Sequence, residues 1–193
     1  MAKGVLLIIS GPSGSGKGTI VEQLVSELGY CVSISATTRN PRPNEKDGIH
    51  YFFKTKEEFE KMIDNGELLE HAAFCGNYYG TPKKYVEEQL ESGKNIILEI
   101  EVQGALQVKK KYNDAVLIFT MPPTLTELRR RLEFRGTETK EVIDARINRA
   151  EEELEFLPDY DYIVINDTVD EAVKDVDCIV KAERMKCSRN PEL

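Results

Sequence analysis

Nine residues near the start of the chain, Gly11-Pro12-Ser13-Gly14-Ser15-Gly16-Lys17-Gly18-Thr19, constrain the fold more than any other feature. They fit the phosphate-cradling pattern G-x-x-x-x-G-K, with Gly11, Gly16 and Lys17 in the required places. The run before them, Val5 to Ile9, is continuously apolar and rich in β-formers. A strand buried on both faces of a parallel sheet has that composition. The run after them sets Ile20, Val21, Leu24, Val25 and Leu28 at helical spacing, with Gly29 as a stop. In this strand–loop–helix context the glycines let backbone N–H groups converge on phosphate oxygens, and the helix N-terminus adds partial positive charge. Lys17 adds a mobile full charge for the β- and γ-phosphates. Residues 11–19 are therefore expected to hold a nucleoside triphosphate.

One position departs from the pattern. Ser or Thr normally follows the lysine and its hydroxyl helps hold Mg²⁺; here Gly18 follows, and Thr19 comes one place later. Small-molecule kinases use this spelling more than motor or switch ATPases do. A metal is then expected to be held mostly by phosphates and water, with Thr19 and Glu99 in outer roles.

The 193 residues suit one α/β domain with small insertions, and 40% hydrophobic residues suffice for a core. A formal net charge of −8 argues against broad nucleic-acid or anionic-membrane binding, so anionic ligands must meet local basic clusters. No apolar stretch approaches 18 residues, which leaves no transmembrane helix. The N-terminus runs straight into the first strand without room for a signal peptide. Cys31, Cys75, Cys178 and Cys187 show no metal-ligand spacing and read as reduced thiols of a cytoplasmic protein.

Strand-like and helix-like runs alternate, which points to a parallel sheet covered by helices. A short apolar run spans Tyr30 to Ile34, and Ser35 to Asp47 is expected to be a loop. Thr55 to Glu58 is a capping box opening a helix that stops at Asn65-Gly66. Thr81-Pro82 has the look of an N-cap followed by Pro at the first helical position, with the helix ending near Gly93. Buried strands are expected at Asn95–Ile100 and Ala115–Met121. Thr124 to Glu127 is a second capping box, opening a helix that ends at Arg135-Gly136. A charged helix is expected from Lys140 to Phe156, a strand from Tyr162 to Ile165 and a last helix from about Val169. Two polar stretches, about 36–82 and 124–157, look like flaps that shield a transferring group from water.

A second constellation points to a mononucleotide. Arg39 and Arg42, braced by Pro41, make a fork for a phosphate. Tyr51, Glu70 and the run Gly76 to Thr81 add phenols, a carboxylate and a hydroxyl. Guanine shows two donors, N1–H and N2–H₂, beside the O6 acceptor. A carboxylate such as Glu70 suits the donors, and hydroxyls such as Ser35 and Thr81 suit the acceptor. Adenine shows an acceptor at N1 that a carboxylate would repel.

From Gly4 to Glu183 the chain closely resembles guanylate kinase. The resemblance rests on the GPSGxGK loop, TTRxPR at 37–42, GNYYGT at 76–81, LEIEVQGA at 98–105, FxxPP at 119–123, RGTET at 135–139 and IVIND at 163–167. It implies a P-loop three-layer α/β fold with a central, mostly parallel sheet in one domain. The core would be 4–35, 83–123 and 158–186, with a GMP-binding insertion 36–82, a lid 124–157 and a tail 187–193. It implies phosphoryl transfer from ATP, with Mg²⁺, to GMP and dGMP in purine metabolism, by a monomer or homodimer. Arg39, Arg42, Tyr51 and Tyr79 would hold the GMP phosphate. Ser35, Glu70 and Thr81 would read guanine, with Glu101 near its amino group. Glu99 would lie by the phosphates and metal. Arg135 and Arg146 would clamp ATP and, with Lys17, Arg39 and Arg42, surround the transferring group. Residues 11–19, Arg135, Asn166 and Asp167 would form the ATP site.

Simpler readings stand beside these. Arg129 to Arg131 and the charged run Lys174 to Lys186 read as solvated helix faces, and His50 and His71 as structural. Tyr78 is packing or contact, undecided. The same scaffold could serve another nucleotide or a phosphorylated sugar, or bind phosphopeptides without catalysis, although an intact Lys17 weighs against the last.

Overall fold

Alternate side chains of the first strand enter two different cores, which puts that strand at the centre of a sheet. The computed structural model describes residues 3–74, 76–134, 136 and 139–190. In chain order its first elements are β1 (Leu6–Ser10), α1 (Lys17–Leu28), β2 (Cys31–Val32), β3 (Ala36–Thr37), β4 (Phe52–Phe53) and α2 (Lys56–Asp64). Next come β5 (Leu68–Phe74), β6 (Asn77–Pro82), α3 (Lys83–Glu91), β7 (Ile96–Glu99) and α4 (Val102–Lys111). The last are β8 (Val116–Met121), α5 (Leu125–Phe134), α6 (Lys140–Leu154), β9 (Tyr162–Ile165) and α7 (Val169–Arg184).

The main sheet runs β2-β7-β1-β8-β9, and every pairing in it is parallel. Val5, Leu7 and Ile9 pack with α1 and α7 through Leu24, Val173 and Val176. Leu6 and Ile8 pack on the other face with α3 and α4 through Val86, Leu90, Ala105 and Val108. That gives three layers, and a parallel sheet so covered binds ligands at the C-terminal ends of its strands. Further along the second face, Phe119 and Met121 are covered by Leu128 and Leu132 of α5 and Ile143 and Ile147 of α6. The segment expected as a lid is thus rooted in its own apolar cluster on the sheet.

The polar insertion builds a second sheet, β4-β3-β6-β5, with a small core of Ala36, Phe59 and Leu68. The Thr55–Glu58 capping box forms reciprocally and opens α2. Gly29 closes α1 in the left-handed region, its N–H bonding Leu24 O.

Several local expectations need correction. The loop expected over 35–47 contains β3, because Ala36 and Thr37 pair antiparallel with β6 and parallel with β4, partners distant in sequence. Thr81 is not an N-cap: it lies within β6 and donates its hydroxyl to Glu70, while Pro82 caps α3. The Thr124 box is half formed. Its hydroxyl accepts from Glu127 N–H, but the Glu127 carboxylate is drawn to Arg130 and Arg131. Leu28, the last residue of α1, lies 46% exposed. α4 has no counterpart among the expected elements. Its apolar residues are few, three lysines close it, and Gly104 weakens it as a helix.

Candidate active site

The loop after β1 has glycines where side chains cannot fit. Gly11 has φ +139°, and a Cβ there would stand 2.1 Å from Thr120 O. Gly16 has φ +90° and caps α1, and its Cβ would stand 2.2 Å from the Asn166 amide nitrogen. Asn166 is buried at the end of β9 and donates through Nδ2 to Ser15 O at 2.8 Å. This expected ATP-side residue therefore braces the loop from below. Lys17, the first residue of α1, folds back and donates to Gly11 O at 2.6 Å and Pro12 O at 3.0 Å. Its ammonium is thereby held along the loop rim, where phosphates would lie. Arg146 reaches across from α6 to Ser13 Oγ at 2.5 Å, so a lid arginine and the loop are already in contact. Thr19 lines the cleft beside Gly14, Gly16 and Asp167. Arg135 lies outside the described residues, as does Cys75.

Glu99 ends β7 beside this loop. Both its carboxylate oxygens lie 3.9 Å from where a Cβ on Gly18 would be. The missing Ser or Thr side chain thus leaves space that faces a carboxylate. Surrounding protein desolvates the Glu99 carboxyl and pushes it up, while Lys17 pulls it down and Glu101 pushes it up. Glu101 is exposed at the N-cap of α4.

The second sheet gathers the other expected residues. Glu70 on β5 is 5% exposed, and Thr81 at the end of β6 donates to its Oε1 at 2.7 Å. A carboxylate accepts several hydrogen bonds, so Glu70 keeps capacity for a ligand's donors. Burial pushes its carboxyl above the ordinary range, with Thr81 and Lys111 pulling the other way. Gly104 of α4 makes room: a Cβ there would meet Glu70 Oε2 at 3.0 Å. Ser35 stands just before β3, its carbonyl accepting from Phe52 N–H.

Arg39 and Arg42 follow β3, and the fork comes with a part that sequence reasoning missed. Arg39 Nη2 bonds Glu45 Oε1 at 2.8 Å and Oε2 at 3.0 Å, and Arg42 N–H bonds Oε2 at 2.7 Å. The Arg39 and Glu45 side chains are only 18% and 14% exposed. These bonds hold the Glu45 carboxyl far below its usual 4.5, at about 2. The Arg39 guanidinium also lies 5.5 Å from the Tyr51 ring centroid, and Tyr51 meets the Tyr79 ring edge-on at 6.2 Å. Arg39, Tyr51 and Tyr79 are thus brought together, while Arg42 presents an exposed side chain beside them. Thr37 and Thr38 tie this loop to Tyr78 of β6 through their hydroxyls. Tyr78 itself stacks on Phe59 at 5.5 Å, which makes it packing. His50 accepts from Lys46 N–H and serves its own loop.

The arginines expected as a solvated face are more organised than that. Arg129 pairs with Asp144 across α5 and α6 at 2.5 Å. Arg130 and Arg131 both grip Glu127, holding its carboxyl near 2. Both line a cleft of about 300 Å³ beside Gly14, Asn166 and Asp167. The signal in sequence was weak, since only the pairing with Glu127 distinguishes them from surface charge.

No helix among the described residues is long and apolar enough to cross a membrane. No cluster of three or more His, Cys, Asp or Glu among them could hold a metal by itself.

The guanylate kinase family model matches residues 3–183. The guanylate kinase of Halalkalibacterium halodurans is 54% identical over 188 residues, covering 97% of this chain and 92% of that protein. That of Desulfitobacterium hafniense is 50% identical over 189 residues, covering 97% and 94%. The crystal structure of guanylate kinase from Anaplasma phagocytophilum superposes with a TM-score of 0.75 at 35% identity, over 97% of this chain and 90% of that one.

Proposed function

The chain belongs to the guanylate kinase family, and from that membership we propose how its residues divide one phosphoryl transfer between two nucleotide sites. The enzyme is an ATP:GMP phosphotransferase, moving the γ-phosphoryl group of ATP to GMP to give ADP and GDP. The reaction needs no protein nucleophile, because the acceptor is already an anionic phosphate oxygen. Catalysis is then alignment plus charge stabilisation.

On the donor side, backbone N–H groups of residues 11–19 cradle the triphosphate. Lys17 follows the charge as it shifts toward the β–γ bridge oxygen. Arg146, already beside Ser13, closes over the γ-phosphate, and Arg135 joins it from the lid. Asn166 holds the loop, and Asp167 borders the base cleft. On the acceptor side, Arg39, Arg42, Tyr51 and Tyr79 hold the GMP phosphate. Glu70 accepts from guanine N1–H and N2–H₂, and Ser35 offers its hydroxyl to O6. Thr81 gives its one proton to Glu70 and so orients that carboxylate toward the base instead of serving O6 as expected. Glu101 lies toward the amino group. We propose dGMP as a second acceptor, to be assayed beside GMP. The single observation that carries the guanine assignment is the buried Glu70–Thr81 pair at 2.7 Å.

The residues fit Mg²⁺: Glu99 and the Thr19 hydroxyl are hard oxygen donors beside the loop, and Mg²⁺ is commonly carried by phosphates, water and one or two carboxylates. When bound, the ion neutralises charge on the transferring group. The family's division into core (4–35, 83–123, 158–186), insertion (36–82), lid (124–157) and tail (187–193) is supported by the separate small core of the insertion. We place the enzyme in the cytoplasm, as a monomer or homodimer.

Glu45→Gln tests the phosphate fork. A fork held in place grips a phosphate better than a loose one, so KM for GMP should rise about tenfold, with kcat within about threefold and KM for ATP unchanged. The same variant should lose acid-sensitive stability. The Glu45 carboxyl is lowered in the fold from 4.5 to about 2, so its contribution is present above pH 4.5 and fades as pH falls toward 2. Chemical denaturation of both proteins across that range checks this; equal stability at every pH, with unchanged KM for GMP, would remove Glu45 from the fork.

A further inference from the structure

Phe134, the last residue of α5, is 88% exposed, while Leu128 and Leu132 of the same helix are buried. A single exposed apolar side chain is ordinary on a protein surface; what sets this ring apart is its position. It stands on the wall of the 300 Å³ cleft that also contains Gly14, Gly16, Arg131, Asn166 and Asp167. The polar groups there are committed only in part, since the buried Asn166 Oδ1 has no hydrogen-bond partner among the described residues. Asn166 donates to Ser15 O. Arg131 is drawn to Glu127 and donates to Asp167 O at 3.3 Å. The described walls thus set two flat surfaces, the Phe134 ring and the Arg131 guanidinium, beside one unpartnered amide oxygen. The acceptor pocket, by contrast, presents a buried carboxylate and, among the described residues, no exposed aromatic ring at its base-reading end.

We propose that Phe134 is the stacking wall for the adenine of ATP, with the Arg131 guanidinium as a second flat surface of the same base site. The proposal rests on the reading of this cleft as the donor site. A base entering between the loop and the end of α5 meets Phe134 at the mouth and covers a ring that otherwise faces water. Recognition by faces is tolerant of base identity, because every base has a π-face.

Stacking on an aromatic side chain is worth about 1–3 kcal/mol per base. Phe134→Ala should therefore raise KM for ATP about tenfold and leave kcat and KM for GMP within about twofold. The ring supports no core, so the thermal midpoint should not move. The chain has no tryptophan, so Phe134→Trp introduces a sole tryptophan that can be excited apart from the tyrosines. It should keep KM for ATP near the wild-type value, and its emission should change with ATP but not with inorganic tripolyphosphate, which fills the loop without a base. An unchanged KM for ATP in Phe134→Ala, or Trp emission indifferent to saturating ATP, would overturn the proposal. Arg131→Ala separates the two levels. If it raises KM for ATP while Phe134→Ala does not, only the stacking role fails. If neither variant moves KM and tripolyphosphate does not compete with ATP, the reading of the cleft as the donor site fails with it.

Discussion

Lys17→Ala should lower kcat by about 10²- to 10³-fold, the loss seen when one donor aimed at developing charge is removed. Lys17 donates to two carbonyls of its own loop, so in the free enzyme its charge is held at the rim and not spread into solvent. Those contacts also support the loop, and a modest fall in thermal midpoint should accompany the kinetic loss. The informative comparison is between kcat and KM for ATP. A group that follows charge in the transition state lowers kcat and kcat/KM together. A rise in KM alone would make Lys17 a ground-state anchor only. Single-turnover phosphoryl transfer with saturating ATP and GMP distinguishes these outcomes.

Glu70→Gln should have the largest effect on the acceptor side. Gln keeps the shape and a partner for Thr81, so the pocket stays built. It nevertheless turns an amide N–H₂ toward a base edge that carries two donors. Sites that hydrogen-bond a substrate's polar edge discriminate by about 10⁴-fold because mismatched groups are left unpaired, and kcat/KM for GMP should fall by about 10³-fold or more. The pH dependence follows from the same burial. Glu70 has to be ionised to accept both donors, and burial raises its carboxyl above the ordinary range. In the wild type, kcat/KM for GMP should decline on acidification at a higher pH than an exposed glutamate would give, and Glu70→Gln should lack that limb. Stability runs the other way. A carboxyl raised in the fold favours the fold below its unfolded pKa, and that contribution is lost as pH rises through the folded value. At neutral pH the Gln variant should therefore unfold at a slightly higher temperature than the wild type, with the difference vanishing in acid. A less stable variant at neutral pH would mean that the ionised carboxylate is compensated by more than Thr81.

What could be seen in the sequence was local. The loop at 11–19, the apolar strands and the cap at Thr55 each follow from neighbours a few residues apart, and each is present. Ser35, Glu70 and Thr81 could be named because their chemistry matches a guanine edge. Their closeness could not be, since β5 and β6 meet only through pairing. The rest depended on tertiary context. β3 and β4 are two residues each and have no pattern of their own; pairing with β6 makes β3 a strand, and pairing with β3 makes β4 one. Gly104 weakens α4, and its reason lies on another element, where Glu70 needs the space. Glu45 is one acid among many in the sequence until Arg39 and the Arg42 N–H converge on it. Phe134 sits in a charged helix where an arginine-rich face suggested only solvation.

The central claim is that the second half of this site names the substrate by the base edge. Initial rates with ATP and a panel of GMP, dGMP, AMP, CMP and UMP measure it most directly. The Glu70–Thr81 pair predicts kcat/KM for GMP about 10⁴-fold above that for AMP, with dGMP accepted and the pyrimidine nucleotides rejected like AMP. Turnover of AMP equal to that of GMP would contradict the account at its base.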